Sequence, residues 1–442
     1  MLIKIHSIPI IGMEYTTAYK FRIYPNKTQR KTIDDMFYLS HKLYNAMLEQ
    51  RKIAYQLNKD YYKNLKVSYN TQTIELSELK EEFPEYKNIF SQVLHNVADR
   101  LDKAYDNFFS RVRERKNGKK IKAGFPRFKS KDHYRSITYT QFGFKVLDNT
   151  HVSFSKIGKI RMLKHRKIDG KIKQATIKKD KANRYYVTFM VEEVNNNINY
   201  SEFPYNPVGI DVGLLKLIAT TDNTPVDPPK YLRKSENKLK RAQRSLSRKQ
   251  KGSQNRREMR VRVARISSHI ANQRNDFSQK LSRTLVNNHN FIAYEDLNIA
   301  NMMKNHKLAK SIADASWGEL INNTIYKAER AGKYCVKVNP RNTSKQCSNC
   351  GNIIEEQTLD DRDYHCSNCG LTMDRDDNAA VNVLNNGFKK IFNTFIIMKP
   401  KKIRHKKKRI PTDCGELMPV EGKTYTSNGK FFLQKREAPI FR

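Results

Sequence analysis

Four of the six cysteines stand as two Cys-x-x-Cys pairs, Cys347 with Cys350 and Cys366 with Cys369, in the spacing C-x2-C-x15-C-x2-C. Gly351 and Gly370 directly follow the pairs. Two tight knuckles of this kind present four thiolates to a tetrahedral zinc at about 2.3 Å per bond, and glycine lets each turn close. Four thiolates leave no coordination position open to water, so the expected zinc is structural: one ion clamps a ribbon and does no chemistry. Cys335 and Cys414 fall outside the spacing and read as packing or loop residues. Six cysteines in 442 residues are too few for a disulfide scaffold, and their pairing fits a reducing compartment.

The ribbon is a small part of a chain whose charge constrains the rest. Lys plus Arg number 85 against 44 Asp plus Glu, a formal charge of +41. Such an excess resists compaction unless a polyanion neutralises it, and nucleic acid is the abundant one. An anionic membrane is the rival partner. However, no run of about 18 apolar residues could span a bilayer, and the opening "MLIKIHSIPIIGMEY" meets Glu14 too early for a secretory signal. The chain reads as soluble and intracellular, with about three domains at roughly 150 residues each.

Tyr15 to Tyr24 alternate as a strand closed by Pro25 and Asn26, and helices follow. Ile33, Met36, Phe37, Leu43, Met47 and Ile53 recur at helical steps, "SQVLHNVADRLDKAYDNFFSRV" repeats the pattern, and residues 59 to 87 read as a shorter helix in polar loops. Residues 111 to 135 carry eleven Lys or Arg against two acids, with Phe125, Phe128 and Tyr134 interleaved, a pattern suited to a polynucleotide. From Ser136 to Val194 short strands return, and with the early strand they suggest a small barrel interrupted by the helical insert. "NNNINYSEFPYNP" marks a boundary. Beyond it, strands mix with helices as in an α/β core, and residues 230 to 265 form an arm with fifteen Lys or Arg and two Glu.

In the strand "VGIDVG", alternation puts Val208, Ile210 and Val212 on one side and Gly209, Asp211 and Gly213 on the other, so Asp211 should project between glycines into open space. Glu295 ends a second apolar strand, "FIAYED". Asp374, Asp376 and Asp377 precede the helix-like "NAAVNVL", and any one of them could reach the same place. Acids from two strands and a helix start make a magnesium site, where two hard cations could support phosphodiester hydrolysis. Helical phase leaves the choice among the three aspartates open.

These residues resemble a family. "YKFRIYPNKTQ", "GIDVG", "AYEDLNI", "DASWGEL", "NPRNTSKQCSNCG", "CSNCG" and "DRDDNAAVN" are similar to TnpB, the transposon-encoded RNA-guided DNA nuclease related to type V CRISPR effectors. The resemblance implies a multidomain α+β protein. Its RNase H-like (RuvC) α/β nuclease core carries a zinc-ribbon insertion, beside an oligonucleotide-binding-type wedge β-barrel and a helical recognition insert. On that pattern the wedge takes 1–30 and 134–204, and the recognition helices take 31–133. The nuclease takes 205–344 and 371–388, the zinc ribbon 345–370, and a basic, flexible tail 389–442. The family's register selects Asp376 as the last catalytic acid with Asp211 and Glu295, holding two magnesium ions, and leaves Asp374 and Asp377 as helix-start acids. It implies a guide RNA and double-stranded target DNA as partners in a prokaryotic cytoplasm. A nuclease-inactive RNA-guided repressor and an RNase H-like transposase are the alternatives.

Overall fold

A computed structural model of the chain describes residues 13–61, 64–195, 206–354, 361–397, 423–425 and 431–433. Its elements run β1 (Met13–Tyr24), α1 (Lys27–Asp60), α2 (Tyr69–Ile74), α3 (Leu76–Glu82), α4 (Ser91–Lys116), β2 (Ser136–Tyr139), β3 (Phe144–Val146), β4 (His151–Phe154), β5 (Gly158–Leu163), β6 (Lys171–Lys179) and β7 (Tyr185–Asn195). There follow β8 (Pro207–Val212), β9 (Ile218–Thr220), α5 (Tyr231–Ser247), α6 (Gln254–Asn288), β10 (Phe291–Glu295), α7 (Ile299–Met302), α8 (Ala309–Ala315), α9 (Trp317–Arg330), β11 (Tyr334–Val338), β12 (Asp363–His365), β13 (Thr372–Asp374), α10 (Arg375–Ile397), β14 (Lys423–Tyr425) and β15 (Phe431–Leu433). The chain divides into two units, one of residues 12–196 with 245–265, the other of 1–11, 197–244 and 266–442.

In the unit that holds β1 to β7, those strands form a seven-stranded antiparallel sheet ordered β2-β6-β7-β1-β5-β4-β3. Tyr19, Phe21 and Ile23 of β1 and Val187, Phe189 and Val191 of β7 alternate inward, each core side chain contributing about 1.5–3 kcal/mol of burial. The end strands are drawn together by Tyr139 on β2. Its ring lies 5.1 Å from Phe154 of β4 and its hydroxyl donates to the Ser155 carbonyl at 3.0 Å, so the sheet curls into a near-barrel.

The helical insert leaves β1 through a reciprocal cap, in which Asn26 Oδ1 accepts from Gln29 N–H and Gln29 Oε1 accepts from Asn26 N–H. Ile33, Met36, Phe37, Leu43 and Met47 pack as their spacing predicts, whereas Ile53, six residues after Met47, falls on the opposite side of the helix and is 49% exposed while the adjacent Ala54 is buried. Where one short helix was expected between 59 and 87, α2, α3 and a 3-10 turn at Pro84–Asn88 stand instead.

In the other unit the sheet order is β11-β10-β8-β9, with β10 parallel to both β8 and β11 and β9 antiparallel to β8. A further bridge, Ile218 to Val226, extends it past β9. Val208, Ile210, Ile292 and Tyr294 pack with Leu320 and Ile321 of α9, while Phe291 and Ala293 pack with Val383 and Leu384 of α10. Helices thus cover both faces. The approach of α10 requires glycine: a Cβ on Gly209 would lie 2.1 Å from the Ala380 carbonyl oxygen and 2.7 Å from Leu384 Cβ. Gly209→Ala is therefore expected to cost about 1–3 kcal/mol in urea unfolding. Gly124→Ala, whose Cβ meets nothing within 4 Å, should leave the midpoint nearly unchanged.

The helix α10 continues through Ile397, past residue 389 where a tail was expected to begin. The basic run 399–409, residues 1–12 and most of the link before β8 lie outside the described residues. Among the described residues, no helix is long and apolar enough to cross a membrane.

Candidate functional site

Alternation decides which acids meet. With Val208 and Ile210 turned toward α9, Gly209 and Asp211 of β8 face α10; with Ile292 and Tyr294 turned toward α9, Ala293 and Glu295 of β10 also face α10. The parallel register sets Ile210 opposite Tyr294, so Asp211 and Glu295 follow side by side. Ala380 lies over Gly209, and one helical turn before Ala380 stands Asp376. Asp211, Glu295 and Asp376 are thereby brought together, and the charges of Glu295 and Asp376 both act on Asp211. Asp377 faces a different set, Asp374, Lys216 and Asp376.

The glycines beside Asp211 do not leave the open space expected of them. Gly209 admits the backbone of α10, and a Cβ on Gly213 would lie 2.7 Å from the Lys216 carbonyl oxygen, so both serve close backbone approach.

Burial, reinforced by the Glu295 and Asp376 carboxylates, pushes Asp211 up to about 8, and Arg375 opposes the rise. Burial also raises Glu295, whose Oε1 accepts a hydrogen bond from the Thr343 hydroxyl. Arg375 Nη2 stands 3.5 Å from Asp376 Oδ1. Against the cost of burial, Lys216 at 2.9 Å and the Asp376 N–H at 2.8 Å hold Asp374 below its ordinary value, and Asp374 so caps α10. Three acids with one nearby guanidinium leave excess negative charge among oxygen donors. That donor set fits magnesium. Among the described residues, only the four cysteines bring all their ligand atoms within 4.8 Å of one another, so the acids form the looser group.

A measurable pH dependence follows. Folded Asp211 holds its proton up to about pH 8, whereas the unfolded carboxyl releases it near about pH 4. In cation-free buffer the folded state therefore loses stability as pH rises through that window. Asp211→Asn should lack this component in urea titrations across pH, and added magnesium should reduce it in the wild-type protein.

The cysteines close as their spacing predicts. Cys347 Sγ lies 3.6 Å from Cys369 Sγ and Cys350 Sγ 3.5 Å from Cys366 Sγ, close to the ~3.8 Å edge of a tetrahedron with 2.3 Å arms. The two "CSNCG" knuckles support each other: Asn349 donates to Cys369 Sγ at 3.5 Å and Asn368 to Cys350 Sγ at 3.4 Å. The Asn368 amide and the Asn352 N–H push the Cys350 thiol down to about 6, whereas burial pushes Cys347 up to about 12. Four convergent thiols with donors aimed at the sulfurs fit a closed zinc site.

Two asparagines that the sequence reading passed over join this ribbon to the acids. On α10, Asn378 accepts from Ser348 N–H at 3.0 Å and donates to the Gln346 carbonyl at 2.8 Å, and Asn382 donates to the Thr343 carbonyl at 2.9 Å and the Gln346 carbonyl at 2.6 Å. The sequence does not mark them, because by helical spacing Asn378 and Asn382 share a side with the exposed Asn385, away from Ala380, Val383 and Leu384. Within "DASWGEL", Asp314 accepts from the Leu232 and Arg233 N–H groups at the start of α5, and the Trp317 indole donates to the Gly213 carbonyl at 3.2 Å, just beyond β8.

The family model OrfB_IS605, described as "Probable transposase", matches residues 189–306, and the Cas12f1-like TNB domain matches 317–383. A helix-turn-helix model matches 13–60, which here form β1 and the single long α1. A Streptomyces pristinaespiralis protein named, provisionally, RNA-guided DNA endonuclease is 32% identical over 376 residues, covering 83% of this chain and 88% of its own. The similarly named InsQ of Escherichia coli K12 is 29% identical, covering 84% and 92%. Among solved structures, the mini-RNA-guided endonuclease CRISPR-Cas_phi3 shares the fold with a TM-score of 0.52 at 9% identity, covering 88% of this chain and 93% of its own. On the strength of the extended Streptomyces match, this chain belongs to the TnpB family of transposon-encoded RNA-guided DNA endonucleases.

Proposed function

We infer that the protein is an RNA-guided, magnesium-dependent DNA endonuclease of a transposable element. In this reading it binds a guide RNA derived from the transposon end and cleaves complementary DNA beside a short adjacent motif. The observation that carries the reading is the meeting of Asp211, Glu295 and Asp376 at the ends of β8 and β10 and the start of α10. The sheet order, with β8 parallel to β10 and antiparallel to β9, supports an RNase H-like core at 205–344 and 371–388, with 345–370 as its zinc ribbon. The near-barrel of β1 to β7 would belong to a wedge of 1–30 and 134–204, beside recognition helices at 31–133 and a tail at 389–442. A prokaryotic cytoplasm fits such a protein.

The three carboxylates would hold two magnesium ions. When bound, these ions would supply a nucleophilic water, neutralise the scissile phosphate and stabilise the leaving oxygen. The chain's own residues set the stage. Thr343 orients Glu295 through its hydroxyl, Asp374 fixes the first turn of α10 that carries Asp376, and Trp317 holds the backbone just beyond Asp211. The cationic stretches grip RNA and DNA backbone, so that base pairing and not side chains reads the target.

The match described as "Probable transposase" favours a second reading, in which the same acids join transposon ends without RNA. Protein with its copurified RNA should cut a matched duplex in magnesium and lose that activity after ribonuclease treatment. Undiminished cutting after ribonuclease, or strand transfer of transposon ends, would favour the transposase. Guided binding without any cutting would favour a repressor.

A further inference from the structure

The segment "FPRFKSK", residues 125 to 131, is too charged to be expected to order itself, yet it is fastened along α1. Asn45 Oδ1 accepts from the Lys129 N–H at 2.9 Å, its amide donates to the Lys129 carbonyl at 3.0 Å, and His41 Nε2 lies 2.8 Å from the same oxygen. Tyr38, His41, Asn45 and Lys52 share one side of α1 by helical spacing. The fastened segment builds a row of ring and cation pairs against that side. Lys131 Nζ lies 4.6 Å from the centre of the Tyr38 ring, and Lys52 Nζ lies 4.3 Å from Phe128 and 5.8 Å from Phe125.

The rings are nevertheless wet. Phe125 is 43% exposed, Phe128 50% and Tyr38 37%. Phe125 meets Tyr105 and Phe108 of α4 edge-on at 5.5 and 5.3 Å, which anchors the segment, and the exposed remainder of the three rings lies outside the core. Eleven cations against two acids between 111 and 135 make the surroundings strongly positive, which disfavours an apolar or cationic protein partner. Aromatic faces set among cations match unpaired nucleobases joined by phosphates, because every base has a π-face.

We propose that Phe125, Phe128 and Tyr38 form a stacking platform for the unpaired bases of single-stranded RNA, with Arg127, Lys129 and Lys131 along its phosphates. The proposal rests on the reading of the chain as RNA-guided and adds where an unpaired strand is held. A duplex already stacks its bases internally and offers these rings nothing. The platform therefore prefers single strands, and Asn45 is its positioning residue.

The test uses the full chain freed of copurified RNA, an unstructured oligouridylate carrying one 2-aminopurine, and an RNA duplex of equal length. Phe125→Ala with Phe128→Ala is expected to weaken oligouridylate binding about 10- to 100-fold and to relieve aminopurine quenching. Duplex affinity and the salt slope of binding should stay unchanged, since no phosphate contact is lost. Phe128→Tyr should restore most of the affinity, and matched thermal midpoints and solution masses exclude unfolding or a lost self-association face. Equal losses for both probes, unchanged quenching, or a change in mass would overturn the platform. Failure of the wild-type protein to bind either RNA would instead count against the RNA-guided reading itself.

Discussion

Asp376→Ala is expected to lower target DNA cleavage by about 10²–10⁴, while RNA and target binding remain near wild type; Asp377→Ala is expected to leave most cleavage intact. The difference comes from what each acid faces. Asp376 follows the capping Asp374, belongs to the turn of α10 that leads to Ala380 over Gly209, and acts on Asp211; Asp377 acts on Asp374, Lys216 and Asp376 instead. Removing a cation ligand forfeits several kcal/mol of charge stabilisation, which sets the expected rate loss. Removing Asp377 takes away a neighbour of the helix start. Initial rates on a matched duplex, measured beside filter binding of the guide RNA, separate the two variants. Equal loss from Asp377→Ala would shift the metal-ligand assignment along the helix.

Zinc removal should have the largest structural effect. Structural zinc contributes apparent binding free energies of about 10–16 kcal/mol in small metal-folded domains, and the Cys347 to Cys369 ribbon has little else: its core cluster is Cys347, Tyr364 and Cys366. A strong chelator, or Cys366→Ser, is therefore expected to unfold residues near 345 to 370. The effect should reach the acids, because Thr343 donates to Glu295 and the same stretch hangs from Asn378 and Asn382 of α10. Hydrogen exchange should show lost protection across the ribbon and in the first turns of α10, zinc analysis should fall from one ion per chain toward none, and cleavage should fall with it. Asn382→Ala should keep the zinc yet loosen the Thr343 contact and reduce cleavage. An exchange pattern confined to the ribbon, with cleavage intact, would show that the two are not coupled.

Much of this was legible in the sequence because it depends on short-range periodicity. Cysteine spacing gave the knuckles, the alternation of "VGIDVG" gave the side on which Asp211 projects, and the Pro25 and Asn26 stop gave the start of α1. What the sequence left open depends on packing between distant segments. Asp376 and Asp377 each share a helical face with apolar residues, and the seating of Ala380 over Gly209 brings the start of α10 to β8; of the two, Asp376 is the one whose charge acts on Asp211. The same seating corrects the reading of the glycines as open space. Ile53 was counted with the helical stripe, but six residues after Met47 it points away from the side on which Ala54 is buried, and the closeness of the two sheet ends rests on Tyr139 meeting Phe154. Asn378 and Asn382 read as a polar, solvent-facing side of the helix because the partners that bury them lie 30 to 39 residues earlier in the chain.

One site built from Asp211, Glu295 and Asp376 is proposed to cut DNA under RNA guidance. The most direct measurement is cleavage of both strands of a matched duplex by wild-type protein and by Asp211→Ala, each with copurified RNA in magnesium and at equal target occupancy. The wild-type protein is expected to cut both strands, and Asp211→Ala to bind the target yet cut neither. Undiminished cutting by Asp211→Ala, or a wild-type complex that occupies its target and leaves both strands whole, would contradict that proposal.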